Sequence, residues 1–427
     1  MKKKLLLALF CCNCLIAAAQ TIVVDTVSMG KEYVNQVWYS LSDDEKGAQA
    51  KNNWDLGFRT IAGKTPSILV NHSGGSITSV TFWKYPKAAR KGWKTVDTAG
   101  LSKWPAQYNA ETEWLGALGR YKDPTDSYDY GWGIKDVGTD YIIGDSIYII
   151  KTQAGNFKKL LIDKLGGSVY TFTYANLDGT DSTTSALPMI AYSNKNFGYF
   201  SLDKKMPVDR EPAAADWDLV FGQYATADLA ATSGVQGYLV TGALANEGVS
   251  IVRAKVFPAA RATYKTYSGA TFSEDINTIG YKWKSLAGVV NDSFVYFVRR
   301  KNGEIWKVNF TGWTNGLSGN GNSVFTKERL ATASINENAK TNLRLALSPN
   351  PAAYGQQINL VYDIKMALKT AIVTLTDLSG RVIKTDNLAK TPGMHVYSLE
   401  ANIMPAGMYF VTVIADNESV HQQLIIQ

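Results

Sequence analysis

Apolar and polar residues alternate along most of this chain in short runs, such as Ser79-Val80-Thr81-Phe82-Trp83, Tyr148-Ile149-Ile150 and Val169-Tyr170-Thr171-Phe172-Thr173-Tyr174. Gly, Asn, Asp and Ser separate the runs. A period of two in β-branched and aromatic residues predicts half-buried β-strands. Helical periodicity is scarce, and the best candidate is one short stretch near 110–118. The expected fold class is therefore all-β.

The pattern is doubled. Trp54-Asp55-Leu56-Gly57-Phe58 returns as Trp217-Asp218-Leu219-Val220-Phe221. Upstream, Trp38-Tyr39-Ser40-Leu41 is matched by Tyr199-Phe200-Ser201-Leu202. Downstream, Tyr130-Gly131-Trp132 is matched by Tyr281-Lys282-Trp283, and Asp145-Ser146 by Asp292-Ser293. Each Asp-Ser pair leads a strand that turns at Gly155 or Gly303 and returns as Phe157–Leu160 or Ile305–Val308. A spacing of roughly 150 residues is domain duplication and not a solenoid repeat. In both motifs Trp, Leu and Phe read as core, and the Asp reads as a local cap in preference to a catalytic acid.

The ends add two further segments. Residues 1–19 read as a signal peptide, with Lys2, Lys3 and Lys4 before the apolar run Leu5–Ile16 and Ala17-Ala18-Ala19. That run is too short to span a bilayer, and no other segment is long and apolar enough. All three cysteines, Cys11, Cys12 and Cys14, lie inside it, so the mature chain is expected to lack disulfides and thiol chemistry. Without the three leader lysines, 41 basic groups face 37 acidic ones, a balance of +4 in place of the formal +7. The charges are interspersed, which gives no support to nucleic-acid binding. Ala331 to Lys340 is small, polar and aperiodic, and reads as a linker.

From Leu347 about seven short strands in about 80 residues suggest a small Ig-like sandwich. Its marks are Ser348-Pro349-Asn350-Pro351, Asp377-Leu378-Ser379-Gly380-Arg381, Pro405-Ala406-Gly407-Met408-Tyr409-Phe410 and a closing apolar strand. This unit closely resembles the type A C-terminal sorting domain of the type IX secretion system. The resemblance rests on Pro349, Asn350, Pro351, Asp377, Gly380, Gly407 and Tyr409. It implies handling by the type IX machinery and a secreted or outer-surface location.

The body resembles the HmuY family of secreted haem-binding proteins. Trp38-Tyr39-Ser40-Leu41, Trp54 to Phe58, Asn71-His72-Ser73-Gly74-Gly75 and the hairpin Ile149 to Leu160 carry this resemblance. The second copy is the more divergent. The expected organisation is a signal peptide (1–19), two tandem HmuY-like β domains (20–185 and 186–330), a linker (331–342) and the sorting domain (343–427). The resemblance implies a loop-built pocket and haem as cargo. Haem iron needs an axial His, Met, Cys or Tyr. His72 is the body's single histidine and the candidate iron ligand. A turn histidine with a local hydrogen bond is the competing reading.

Trp83, Tyr85, Trp93 and Trp104 lie among Lys84, Lys87, Arg90, Lys91 and Lys94. They read either as core or as an amphipathic platform for a porphyrin, a glycan or a protein. The candidate ligand-binding residues are His72, Trp83, Tyr85, Tyr128 and Tyr130, with His72 as the metal ligand.

No His-Glu-x-x-His occurs, and one histidine cannot build a multi-His zinc site. Ser201-Leu202-Asp203-Lys204 fits Ser-x-x-Lys but also aligns with a strand landmark. Asp123, Asp126 and Asp129 lack EF-hand spacing and read as a solvated loop. The chain is thus expected to be non-enzymatic, with a hydrolase ranked third. First is an exported HmuY-like binding protein for haem or another hydrophobic small molecule. Second is a surface adhesion or glycan-binding protein that kept the fold and lost the haem site.

Overall fold

The computed structural model describes residues 22–73, 81–226, 237–262, 267, 269–331, 343–378, 380–400, 402, 404–416 and 418–427. The expected signal peptide, residues 332–342 of the expected linker, and Gly74-Gly75 lie outside these. Two compact units appear, Val24–Lys327 with Gly393–His395, and Glu328–Pro392 with Val396–Gln427.

The first unit carries β1 (Val23–Ser28), β2 (Asn35–Ser40), β3 (Asp44–Ala50), β4 (Leu56–Arg59), β5 (Ile68–Val70), β6 (Phe82–Lys84), β7 (Gly133–Lys135), β8 (Ile142–Gly144), β9 (Ile147–Lys151) and β10 (Phe157–Gly166). It continues with β11 (Val169–Asn176), β12 (Thr183–Pro188), β13 (Phe197–Ser201), β14 (Met206–Val208), β15 (Leu219–Thr226), β16 (Tyr238–Ala245), β17 (Ser250–Lys255), β18 (Phe294–Arg299), β19 (Ile305–Trp313) and β20 (Asn322–Ala331). The chain is all-β, as its alternation predicts. The helix expected at 110–118 shrinks to one turn, Ala117–Arg120, with Leu118 and Gly119 outside helical geometry. Glycine is the reason. Gly119 sits at φ +144°, and a Cβ on Gly116 would fall 1.9 Å from the Ile68 carbonyl oxygen, so the segment is pressed flat against β5.

The two sequence copies interlock. Two four-stranded sheets run β14-β13-β4-β5 and β3-β2-β15-β16. Strand β4, which carries the first Trp-Asp motif, pairs with β13 of the second copy, Leu56 opposite Phe200. Strand β15, which carries the second motif, pairs with β2 of the first copy, Leu219 opposite Tyr39. The larger sheets repeat the exchange, because β12 joins β11 while β1 joins β20.

The spatial lobes are therefore an inserted lobe, continuous over 54–208, and a split lobe built from 23–50 and 217–331. Their cores agree. Leu56, Phe58, Trp132, Tyr148, Phe172, Phe200 and Leu202 pack in the inserted lobe. Val27, Tyr39, Leu41, Leu219, Phe221, Trp283, Tyr296 and Phe325 pack in the split lobe. The boundary expected between 185 and 186 falls inside β12, and β13 and β14 beyond it still belong to the sheets of the inserted lobe.

The motif aspartates tie the exchange. Asp55 is buried and accepts the N–H of Leu202 at 2.7 Å and of Gln153 at 2.8 Å. Asp218 accepts the N–H of Leu41 at 2.8 Å and the Arg300 guanidinium at 2.9 Å. Asn71 and Asn246 then bond the carbonyls of Trp54 and Trp217, at 2.8 and 2.6 Å. The motif aspartates therefore bond partners distant in sequence, in place of the local cap expected of them.

Among its described residues the second unit has seven strands, β21 (Leu343–Ser348), β22 (Gln357–Ile364), β23 (Ala371–Asp377), β24 (Val382–Asn387), β25 (Gly393–Glu400), β26 (Gly407–Ala415) and β27 (Glu418–Ile426). They form sheets β21-β22-β25 and β24-β23-β26-β27 over a core that includes Leu360, Val373, Val411 and Leu424. Asn350 staples the closing strand, donating to the Gln423 carbonyl at 2.6 Å and accepting from Ile425 N–H at 2.9 Å. Asp377 accepts both the N–H and the Nε of Arg381 at 3.0 Å, and Gly380 takes φ +81° in the same turn. Tyr409 donates to the Pro405 carbonyl at 2.7 Å.

Candidate ligand-binding site

The sequence candidates do not converge on one site. His72 is 8 % exposed, its Nδ1 lies 2.9 Å from Thr81 Oγ1, and its ring tilts against Tyr108 at 5.2 Å. Burial alone pushes its pKa down to about 4, so the imidazole is neutral near pH 7. Its Nε2 has no partner among the described residues. Among those residues no group of three His, Cys, Asp or Glu side chains is placed to hold a metal.

Trp83 and Tyr85 belong to the core, at 7 % and 5 % exposed. Trp83 is covered by Phe157 at 6.2 Å and bridges to Ala106. Tyr85 lies 5.6 Å from the Trp104 ring, and its hydroxyl accepts Asp97 N–H at 3.1 Å. Tyr128 is exposed and Tyr130 packs partly against the inserted-lobe core. Both sit on the loop before β7, where Asp123, Asp126 and Asp129 accept backbone N–H groups of that same loop.

One cleft does form in the basic, aromatic stretch. It is open, about 520 Å³, and lined by Lys84, Tyr85, Pro86, Lys87, Ala88, Ala89, Pro105, Gln107, Asp145 and Ser146. Three chain segments build it. Residues 85–90 are pinned to the start of β9 by Tyr85 N–H on Ile147 O and Arg90 N–H on Asp145 O, both 2.8 Å. Gln107 N–H reaches Phe82 O at 3.0 Å, which sets the opposite wall. Ser146 donates to Asp145 at 2.6 Å, holding the carboxylate in place. Arg90 is tied to Asp163 at 3.0 Å, and Lys87 pairs with Asp97. Of the sequence candidates, only Tyr85 lines this cleft. Gln107, Asp145 and Ser146 were missed as cleft residues, although Asp145-Ser146 stood out as a repeat landmark.

A second polar cluster joins the two lobes. The buried Arg210 guanidinium lies 5.2 Å from each of the Trp38, Trp54 and Tyr199 rings. Glu211 beside it accepts Asn196 N–H, Phe197 N–H and the Tyr199 hydroxyl, each at 3.2 Å. Burial pushes the Glu211 carboxyl up to about 7. Trp114 completes the junction, edge-on to Trp217 at 6.4 Å and bonded to Ala245 O at 2.9 Å. Arg210, Glu211, Tyr199, Trp38, Trp54 and Trp217 are buried and Trp114 is half-buried, so the cluster fastens the lobes.

The architecture is thus an exchanged double β body with an open cleft on its inserted lobe, followed in sequence by a small β-sandwich. Residues 346–427 match the family described as the secretion system C-terminal sorting domain. The chain therefore carries a type IX sorting domain and is a secreted or outer-surface protein. No curated protein matches the chain. A solved structure described as a biofilm associated protein, BSP domain, aligns with 88 % of this chain and 67 % of its own at 12 % identity and a TM-score of 0.17. No helix among the described residues is long and apolar enough to cross a membrane.

Proposed function

We propose that the protein is a non-enzymatic binding protein of the cell exterior that takes saccharides in the inserted-lobe cleft. The carrying observation is the cleft itself. It offers a carboxylate, a hydroxyl, an amide and an amine beside Tyr85, Pro86 and Pro105. Sugars are recognised by that combination, polar groups for the hydroxyls and flat apolar surface for the C–H faces. The buried acids elsewhere are committed to backbone and guanidinium partners, which supports binding over hydrolysis. The test is titration of the full chain with an oligosaccharide panel. Saturable binding that is lost in Asp145→Asn and Gln107→Ala is expected. A panel with no binder overturns the reading.

A haem reading has its own support in His72, a neutral imidazole with an unpartnered Nε2. It also has a direct test. A saturable Soret shift at micromolar haem that disappears in His72→Ala supports it, and the absence of any shift ends it. A shift that survives the substitution removes only His72 from the ligand set.

A further inference from the structure

We infer that the cleft selects anionic saccharides, those bearing carboxylate or sulfate groups. The inference rests on the saccharide reading above and deepens it. Lys84 and Lys87 line the cleft, and the surrounding segment carries Arg90, Lys91, Lys94 and Lys103. All six side chains are exposed. The acids that answer them are few and placed. Asp97 is paired with Lys87, and Asp163 with Arg90. No ion pair among the described residues involves Lys84, Lys91, Lys94 or Lys103, so Lys84 presents an open charge in the cleft lining and the other three add open charge to the neighbouring segment. Asp145 is the one acid in the lining, and its bond from Ser146 fixes it as an acceptor for ligand hydroxyls.

A neutral sugar would use Asp145 and Gln107 and leave the amines idle. An acidic sugar uses both sets, its hydroxyls on Asp145 and its anionic group on Lys84. Like charges in and beside a groove also raise the local concentration of an anionic ligand and make its capture salt-dependent. The whole chain carries only a small positive excess, so this asymmetry belongs to the cleft and not to the surface at large.

The experiment compares the full chain with neutral, carboxylated and sulfated oligosaccharides of equal length, by calorimetry at low and physiological salt. The acidic sugars are expected to bind about tenfold more tightly than the neutral one, with the advantage shrinking as salt rises. Lys84→Gln should abolish most of that advantage, bringing acidic and neutral sugars to similar affinity. Lys122→Gln, an exposed change outside the cleft, should alter neither. Equal affinity for neutral and acidic sugars overturns the inference while the saccharide reading stands. A single-stranded oligonucleotide bound as tightly as the acidic sugars also overturns it, because the site would then be an unselective polyanion surface. Failure of every saccharide removes both.

Discussion

Asp55 accepts the backbone N–H of Leu202 at 2.7 Å across 147 positions of sequence. Its counterpart Asp218 accepts Leu41 N–H at 2.8 Å across 177. Each repeat motif thus closes a strand that belongs, by sequence, to the other copy. Asp55→Ala leaves the amides of Leu202 and Gln153 without acceptors, and each orphaned buried donor costs about 1–3 kcal/mol. Chemical denaturation should show a loss of about 2–4 kcal/mol. A loss confined to a few tenths would mean the exchange is held by packing alone.

The exchange itself can be trapped. A Cβ on Gly222 would lie 3.8 Å from Gln36 Cβ, the separation a disulfide needs. No cysteine occurs after Cys14. Gln36→Cys with Gly222→Cys should therefore oxidise to one intramolecular bridge, seen as a shift on non-reducing electrophoresis. Copies folded end to end, each on its own, would leave these two thiols free.

His72 gives the body an acid limit. Its folded pKa is depressed to about 4 from 6.5, so its contribution to stability is present above pH 6.5 and lost as pH falls through 4. Asp55, raised by burial to about 6, works in the opposite sense, its contribution fading as pH rises through that value. Comparing His72→Gln with the parent isolates the histidine. The variant should gain about 3 kcal/mol relative to the parent between pH 7 and pH 4. Parallel stability curves would remove His72 as a buried neutral group.

Arg210 fastens the lobes through its faces as well as its charge. Lysine keeps the charge and loses the planar surface that meets Trp38, Trp54 and Tyr199. Arg210→Lys should therefore destabilise by about 1–3 kcal/mol and shift tryptophan emission. An unchanged emission spectrum would show the rings do not depend on it.

In the sorting domain, Asn350→Ala removes both bonds to the closing strand. Amide exchange at Ile425 should quicken about tenfold, and export should fall with it. Unchanged exchange would place the staple elsewhere.

The strands and the doubled motif were legible because alternation records which face of a strand is buried. Alternation does not record the partner. Strands β2 and β13 have equivalent patterns, so β4 and β15 can accept either, and the exchange left no trace in the sequence. The cleft was half legible. Tyr85, Lys84 and Lys87 stood in a conspicuous stretch, whereas Gln107, Asp145 and Ser146 come from two other segments that only the fold brings together. Trp83 was misplaced as a ligand contact because its cover, Phe157, arrives from β10. The sorting motif read well, since Asn350, Asp377, Gly380 and Tyr409 each meet a local turn or strand demand.

The split lobe joins residues as distant as Ser28 and Asn320, 292 positions apart. Closing so long a loop carries an entropic penalty that grows with its length. Folding 54–208 first brings its two ends side by side and roughly halves the loop left to close, which saves about 0.6 kcal/mol. Assembly is thereby put in order. The middle of the chain can close alone, and the outer shell must wait for its last strand, so a chain halted before β20 has one finished lobe and one open one.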